Sequence, residues 1–280
     1  MILKRKGQVA VVTGAGGTLC SEMARSLAAQ GMSVALIGRD MEKLVRVEQE
    51  IKEHGGTALS VSADVADQKK VEEAFKLISK ELGRCVVLIN GAGGNQSNAI
   101  TTTNEFNEVE LDNTDPDYRG FFNLSMQDFK NVIEVNTMGT VIPSFIFGKE
   151  MARHKQGCII NIASMNSYRP LSRVGAYGIA KAGIANFTQW LAAYLAPANI
   201  RVNAIAPGFF LNERSKKLLL TPSGYSERGY NIIKHTPMKR FGEAPELVGC
   251  MNWLIDDEAA GFVTGTIIPI DGGFISSSGV

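Results

Sequence analysis

Runs of apolar residues and mixed polar segments alternate through most of the chain, and the lengths of the two kinds differ. Short, β-branched, almost continuously apolar runs stand at 9–13, 33–37, 58–62 and 86–90. Between them lie longer stretches at 21–30, 42–54 and 68–82, where apolar positions recur every three or four residues among charged ones. The first pattern predicts buried parallel strands and the second predicts helices covering them. The alternation resumes with helices near 127–154 and 175–195 and strands at 158–163 and 201–205. A helix at 244–256 and a strand at 266–270 complete the series. Repeated strand–helix–strand units of this kind predict an α/β chain: a doubly wound, mostly parallel seven-stranded sheet with helices on both faces.

Two stretches break the rhythm. Residues 95–124 are polar and rich in acidic side chains, and they read as an insertion after the fourth strand. Residues 209–241 are basic, carry Pro222 and Pro237, and read as an irregular lid over the substrate. Long irregular segments in compact domains usually handle ligands, and ligands of open α/β sheets bind beyond the carboxyl ends of the strands. A length of 280 residues is near the upper limit for one core, so 1–280 is expected to form one domain carrying both segments.

Composition narrows the function by exclusion. A formal net charge of +1 gives no electrostatic footprint for nucleic acid or an anionic membrane. The first residues contain no apolar region followed by a cleavage site, so a cytoplasmic protein is expected. Cys20, Cys85, Cys158 and Cys250 are scattered in a spacing that suits neither a disulfide framework nor a zinc site. His54, His154 and His235 do not cluster with them, so no metal site is expected.

Chemistry-bearing residues stand at the strand ends. Thr13-Gly14-Ala15-Gly16-Gly17-Thr18-Leu19-Cys20 joins the first strand to the first helix, where a glycine-rich turn lets backbone N–H groups approach a pyrophosphate. Tyr177 and Lys181 are four residues apart and share one helix face. Ser164 ends the apolar run that precedes them, so a strand-end serine and a helix tyrosine can meet beside a pocket. Tyr230 and Lys234 repeat the same spacing without a strand and serine upstream. After the second strand stands Gly38-Arg39-Asp40. With no carboxylate ending the strand and an arginine available for a 2′-phosphate, NADP(H) is favoured, while Asp40 keeps NAD(H) open.

Taken together these segments resemble the short-chain dehydrogenase/reductase family, over essentially the whole chain. The turn at 13–20 matches the family's Thr-Gly-x-x-x-Gly-x-Gly, with Thr18 and Cys20 in place of its last two glycines. Asn90-Gly91-Ala92-Gly93 matches its Asn-Asn-Ala-Gly, with glycine at the second position. The resemblance implies a Rossmann-type fold and a nicotinamide-dependent enzyme with Asn136, Ser164, Tyr177 and Lys181 as catalytic residues. It implies cofactor contacts at Gly14, Gly16, Gly17, Thr18, Leu19, Arg39, Asp64, Val65, Asn90, Gly91, Ala92, Tyr177, Lys181, Pro207, Gly208, Phe210 and Asn212. Asp271-Gly272-Gly273 matches the family's C-terminal signature. Tyr177 would be the proton donor in reduction, Lys181 the charge favouring its phenolate and the partner of the nicotinamide ribose. Ser164 would hold the substrate oxygen, and Asn136 would position a water leading to solvent.

Several segments, among them Ser164-Met165-Asn166-Ser167 and 235–242, resemble the D-mannonate oxidoreductase (fructuronate reductase) branch close to gluconate 5-dehydrogenase. That implies a sugar acid as the small-molecule substrate, interconverted with its keto form. Gluconate 5-dehydrogenase, 3-oxoacyl reductase and a non-catalytic dinucleotide sensor are the alternatives. Asn95, Gln96, Asn166 and Asn212 could serve the polyol, and Arg214, Lys216 or Arg173 the carboxylate. The helix at 175–195 is apolar on most of its surface, which suggests a subunit interface, and the family resemblance implies a homotetramer or homodimer.

Overall fold

The structure, a computed structural model, describes residues 5–115, 117–222 and 224–277, and within these it leaves aside the side chains of Glu213 and Arg214. Seven strands form one sheet: β1 (Val9–Thr13), β2 (Ser33–Gly38), β3 (Thr57–Ser62), β4 (Cys85–Asn90), β5 (Gly157–Ile162), β6 (Ile200–Pro207) and β9 (Ile267–Ile270). Their order is β3-β2-β1-β4-β5-β6-β9, and every neighbouring pair is parallel. The direction of the order reverses between β1 and β4, which creates a crevice at their carboxyl ends.

Alternate strand residues feed two cores. Ala10, Val12, Leu36, Ile89 and Ile160 pack against α1 (Thr18–Ala29), α2 (Met41–Glu53) and α9 (Val248–Ile255). Val9, Val11, Ile37, Leu88 and Ile159 pack on the opposite face, against α3 (Gln68–Glu81), α5 (Met126–His154) and α6 (Gly175–Leu195). A period-2 pattern that is apolar on both sides is what a sheet covered by helices requires. Asp40, Asp67 and Ser125 cap α2, α3 and α5 by accepting from backbone N–H groups in the first turn.

The segment 209–241 is more regular than its composition suggests. It contains α7 (Glu213–Leu219), a two-stranded hairpin of β7 (Leu220–Thr221) and β8 (Gly224–Tyr225), and α8 (Glu227–His235). Pro222 stands in the hairpin turn and Pro237 lies beyond α8, so both prolines punctuate elements and interrupt none. Among its described residues the insertion 95–124 holds one short turn of helix, α4 (Val109–Asp112), between two 3₁₀ turns. Among the described residues nothing covers the outer face of α6: Ile179, Trp190 and Tyr194 are 57%, 57% and 68% exposed. Among the described residues no helix is long and apolar enough to cross a membrane.

Candidate active site

The turn after β1 and the turn after β4 are built against each other. Thr13 Oγ1 accepts from the N–H groups of Gly91 and Ala92, at 3.1 and 3.2 Å. Gly14 adopts φ +69°, and a Cβ there would lie 2.8 Å from the Ala92 backbone. Glycine is required on both counts. The N–H groups of Thr18, Leu19 and Cys20 open α1 without an acceptor among the described residues. A helix start of this kind favours a pyrophosphate. Beside it a cavity of about 480 Å³ is lined by Gly14, Arg39, Asp64, Val65, Ala92 and Asn95. Orphan helix amides joined to a groove over the strand ends suit an extended dinucleotide.

Two of the three departures from the family pattern, at Cys20 and at Gly91, compensate each other. A Cβ at position 91 would fall 2.1 Å from the Cys20 sulfur. Cys20 therefore fills the space that a side chain at 91 would occupy, and Gly91 leaves that space free. The thiol is buried, and desolvation pushes its pKa up to about 12, so it stays neutral near pH 7.

At the carboxyl end of β5 the remaining groups converge. Ser164 accepts from Asn166 N–H at 3.2 Å and shares a hydrogen bond with the Tyr177 hydroxyl. Burial raises the Tyr177 pKa above its ordinary value, and the Ser164 hydrogen bond opposes that rise. Lys181 is 5% exposed, its Nζ donating to Ile162 O at 2.7 Å and lying 5.4 Å from the Tyr177 ring centre. Burial lowers the Lys181 pKa to about 8. One of its three donors is spent on Ile162, which leaves two for other partners. Asn136 donates to Gly94 O and to Val132 O, both at 2.7 Å, and accepts from Gly94 N–H at 3.2 Å. Its amide thus pins the loop after β4 to α5.

Not every expected contact faces the cavity. Asn90 is fully buried and donates to Ser144 Oγ and Asn161 Oδ1, at 2.8 and 2.9 Å, so its amide ties β4 to α5 and β5. Gly16 presses on the Cβ of Lys43, where an added Cβ would meet it at 2.9 Å, while Gly17 caps α1 and Leu19 packs into the core. Phe210 is buried against Gly242, and Asn212 caps α7 by accepting from Ser215 N–H at 2.8 Å. Pro207 ends β6 beside Ile270, and Gly208 follows with its N–H on Ile270 O at 2.8 Å. Of the expected substrate contacts, Asn95 lines the cavity over the strand ends, on the nucleotide side. Asn166 is 6% exposed and spends its amide oxygen on Leu171 N–H. The side chain of Arg214 lies outside the described residues.

Three features carried no signal in the sequence taken one residue at a time. Gly93 keeps clear of Asn136 and Lys181, since a Cβ there would meet Asn136 Oδ1 at 2.4 Å and Lys181 Nζ at 3.8 Å. The Cys20–Gly91 exchange joins positions far apart in the chain. Arg119 and Arg228 come from the insertion and from α8, and both line a cavity with Arg173.

Comparison with known proteins bears on the same residues. The family model described as short chain dehydrogenase matches residues 8–221. An uncharacterized oxidoreductase, UxuB of Bacillus subtilis, is 44% identical over 275 residues, covering 98% of this chain and 97% of that protein. A crystal structure from Haemophilus influenza, provisionally described as a D-mannonate oxidoreductase and holding NAD, is 39% identical with a TM-score of 0.92. It covers 98% of this chain and 97% of its own. A provisionally described NAD(P)-dependent gluconate 5-dehydrogenase of Beutenbergia cavernae, with NADP at low occupancy, is 28% identical with a TM-score of 0.83, covering 99% of this chain and all (100%) of its own.

Proposed function

The chain belongs to the short-chain dehydrogenase/reductase family and is an NAD(P)-dependent oxidoreductase, and from that premise we propose that it interconverts D-mannonate and D-fructuronate. The observation that carries the chemistry is the meeting of Ser164, Tyr177 and Lys181 at the end of β5. A bound nicotinamide supplies or accepts the hydride. The chain's own task is the proton and the developing alkoxide. Ser164 holds the carbonyl oxygen, and the protonated Tyr177 gives its hydroxyl proton to that oxygen in reduction and takes it back in oxidation. A buried Lys181 ammonium beside the ring favours phenolate when the proton has left. Asn136, with both ends of its amide held, fixes the loop after β4 to α5 beside the Lys181 ammonium.

The Haemophilus likeness supports the sugar-acid assignment: that protein carries the D-mannonate description and matches nearly the whole chain. The segments 95–124 and 209–241 bring Arg119, Lys217 and Arg228 to a cavity whose remaining lining is mostly apolar, and these basic groups suit an acid. On the nucleotide, Arg39 lines the cavity and makes no side-chain hydrogen bond or ion pair among the described residues. Asp40 is committed elsewhere, accepting from Lys43 N–H at 3.2 Å and pairing with Lys43 Nζ at 2.9 Å. That division of labour supports NADP(H) as the preferred partner. NAD in the Haemophilus structure makes NADH the necessary comparison. The uncovered apolar face of α6 supports a homo-oligomer, which sedimentation checks directly.

Purified protein should reduce D-fructuronate with NADPH faster than it reduces 5-ketogluconate or an acetoacetyl thioester. Activity confined to the thioester would end the sugar-acid reading and leave the 3-oxoacyl one.

A further inference from the structure

Tyr177 and Lys181 meet their partners only if α6 stands at one position along β5, and apolar packing does not set that position by itself. The buried face of α6 carries Ala176, Ala180, Ile184, Leu191 and Ala192, mostly small apolar side chains. Contacts of that kind are non-directional, so they favour burial without selecting one register. Two side-chain hydrogen bonds from β5 and the turn after it supply the missing direction.

The first lies at Lys181 itself. Ser167, in the 3₁₀ turn Met165–Ser167 that follows Ser164, donates its hydroxyl to the Lys181 backbone carbonyl at 2.6 Å. The second lies in the core. Asn161 interrupts the apolar run of β5 and is fully buried, as is Thr188 on α6. Asn161 Nδ2 donates to Thr188 Oγ1 at 2.9 Å, and that hydroxyl donates to Ile184 O at 2.8 Å. The other end of the Asn161 amide accepts from Asn90 Nδ2 at 2.9 Å. Buried polar side chains cost stability unless paired, and once paired they fix geometry in a way that apolar contacts do not. Thr188 lies seven residues beyond Lys181, about 10 Å along the helix, so the two bonds grip α6 at separate points. None of Asn161, Ser167 and Thr188 lines the cavity over the strand ends. What they hold is the level at which Lys181 Nζ meets Ile162 O, at 2.7 Å, and the Tyr177 hydroxyl meets Ser164.

We propose that Ser167 and the Asn161–Thr188 pair are positioning residues for the reaction: together they set α6 along β5 so that the Tyr177 hydroxyl stays on Ser164 and the Lys181 ammonium stays on Ile162 O. Without them α6 remains a helix packed on the sheet but gains freedom to shift along it. A misplacement of about 1 Å at a reacting group costs up to about a hundredfold in rate. The proposal rests on the proton chemistry of Ser164 and Tyr177 and is independent of which carbonyl compound is the substrate.

Ser167→Ala, Thr188→Val and the double variant test it in the full-length protein. Ser167→Ala strands no partner, since the Lys181 carbonyl keeps its helix bond from Ala185 N–H, and Thr188→Val keeps the shape while losing the hydroxyl. With D-fructuronate and reduced nicotinamide, each single variant should lose up to about tenfold in kcat and the double variant about a hundredfold, with a smaller change in the nucleotide KM. Ser167→Thr and Thr188→Ser keep their hydroxyls and should hold most of the rate. With D-mannonate in the oxidative direction, the acid limb of the kcat/KM profile should move to higher pH in the double variant. The reason is that the Ser164 hydrogen bond, which opposes the rise in the Tyr177 pKa, is weakened. A substrate-free readout is the Tyr177 ring Cζ resonance in protein labelled with carbon-13 tyrosine, assigned by its absence in Tyr177→Phe. At neutral pH the double variant should move it towards its position in Ser164→Ala. A resonance that stays at its wild-type position, or a loss of rate that Ser167→Thr and Thr188→Ser share in full, would overturn the proposal. If the double variant fails to fold, Ser167→Ala alone is read against the same outcomes. Wild type that turns over neither fructuronate nor mannonate removes the sugar-acid reading and leaves the resonance to decide the positioning role.

Discussion

Two helices of this molecule carry a tyrosine and a lysine four residues apart, and only α6 makes a site of them. On α6, Lys181 is 5% exposed, wedged between Ile162 O and the Tyr177 ring, with Ser164 on the tyrosine hydroxyl. On α8, Tyr230 is 62% exposed and Lys234 faces solvent, offering only its carbonyl to Lys239. The spacing fixes a shared helix face in both cases. What differs is what the face meets. The start of α6 abuts the carboxyl ends of β4 and β5, where Gly93 and Ile162 enclose the ammonium, whereas Tyr230 and Lys234 on α8 stay exposed among the described residues. Burial changes the pKa of a tyrosine and a lysine, and burial comes from the sheet.

The comparison can be broken most severely at the lysines. Lys181→Met should lower kcat about a hundredfold or more, the scale of losing one preorganised charged donor, while Lys234→Met stays within about twofold. Steady-state kinetics on the two variants would read this, and equal losses would erase the distinction between the helices. Next in size is Arg39→Ala, which should weaken NADPH about tenfold through loss of a charged hydrogen bond and leave NADH within about twofold. Equal weakening in fluorescence titrations would remove Arg39 from the 2′-phosphate.

A smaller effect tests how tightly the surroundings of α6 are fitted. Gly91→Ala should destabilise the fold by about 1–3 kcal/mol, because the new methyl meets the Cys20 sulfur. Adding Cys20→Gly should recover much of that loss. Denaturant melts giving additive effects would show that the two positions do not share one space.

The smallest effect is in pH. Burial depresses Lys181 from 10.5 to about 8, so between those values the unfolded chain binds more protons than the folded one. In nucleotide-free protein the lysine therefore costs stability below about pH 8, and the cost is relieved as pH rises through that window. Fructuronate reduction should decline over the same range as the ammonium is lost. Wild type and Lys181→Met melts that keep a constant difference from pH 7 to about pH 10 would contradict the linkage.

The sheet was legible because its strands are pure apolar runs: β1 at 9–13 and α6 at 175–195 begin and end where the pattern does. The final helix instead splits, as a 3₁₀ turn at Ala244–Leu247 followed by α9, because Pro245 sits in its first turn. The regular elements of 209–241 were not legible because α7 and α8 are seven and nine residues long, too short for a clear period among two prolines. Ser226, which caps α8 by accepting from Gly229 N–H, was the available signal.

At the site, a match to a motif names a residue but not the direction of its side chain. Asn90 belongs to the motif after β4, yet its amide works inside the core, while Gly91 and Ala92 beside it bond to Thr13 through their backbone. Cys20 and Gly91 each read as a departure; only in three dimensions are they one exchange.

The central claim is that Tyr177, and not Tyr230, moves the proton for a sugar keto acid. Following nicotinamide absorbance with D-fructuronate in wild type, Tyr177→Phe and Tyr230→Phe tests it most directly. The predicted result is turnover by wild type, a loss of about 10²–10⁴ in kcat for Tyr177→Phe with nucleotide binding retained, and wild-type rates for Tyr230→Phe. Tyr177→Phe turning over fructuronate as fast as wild type would contradict it.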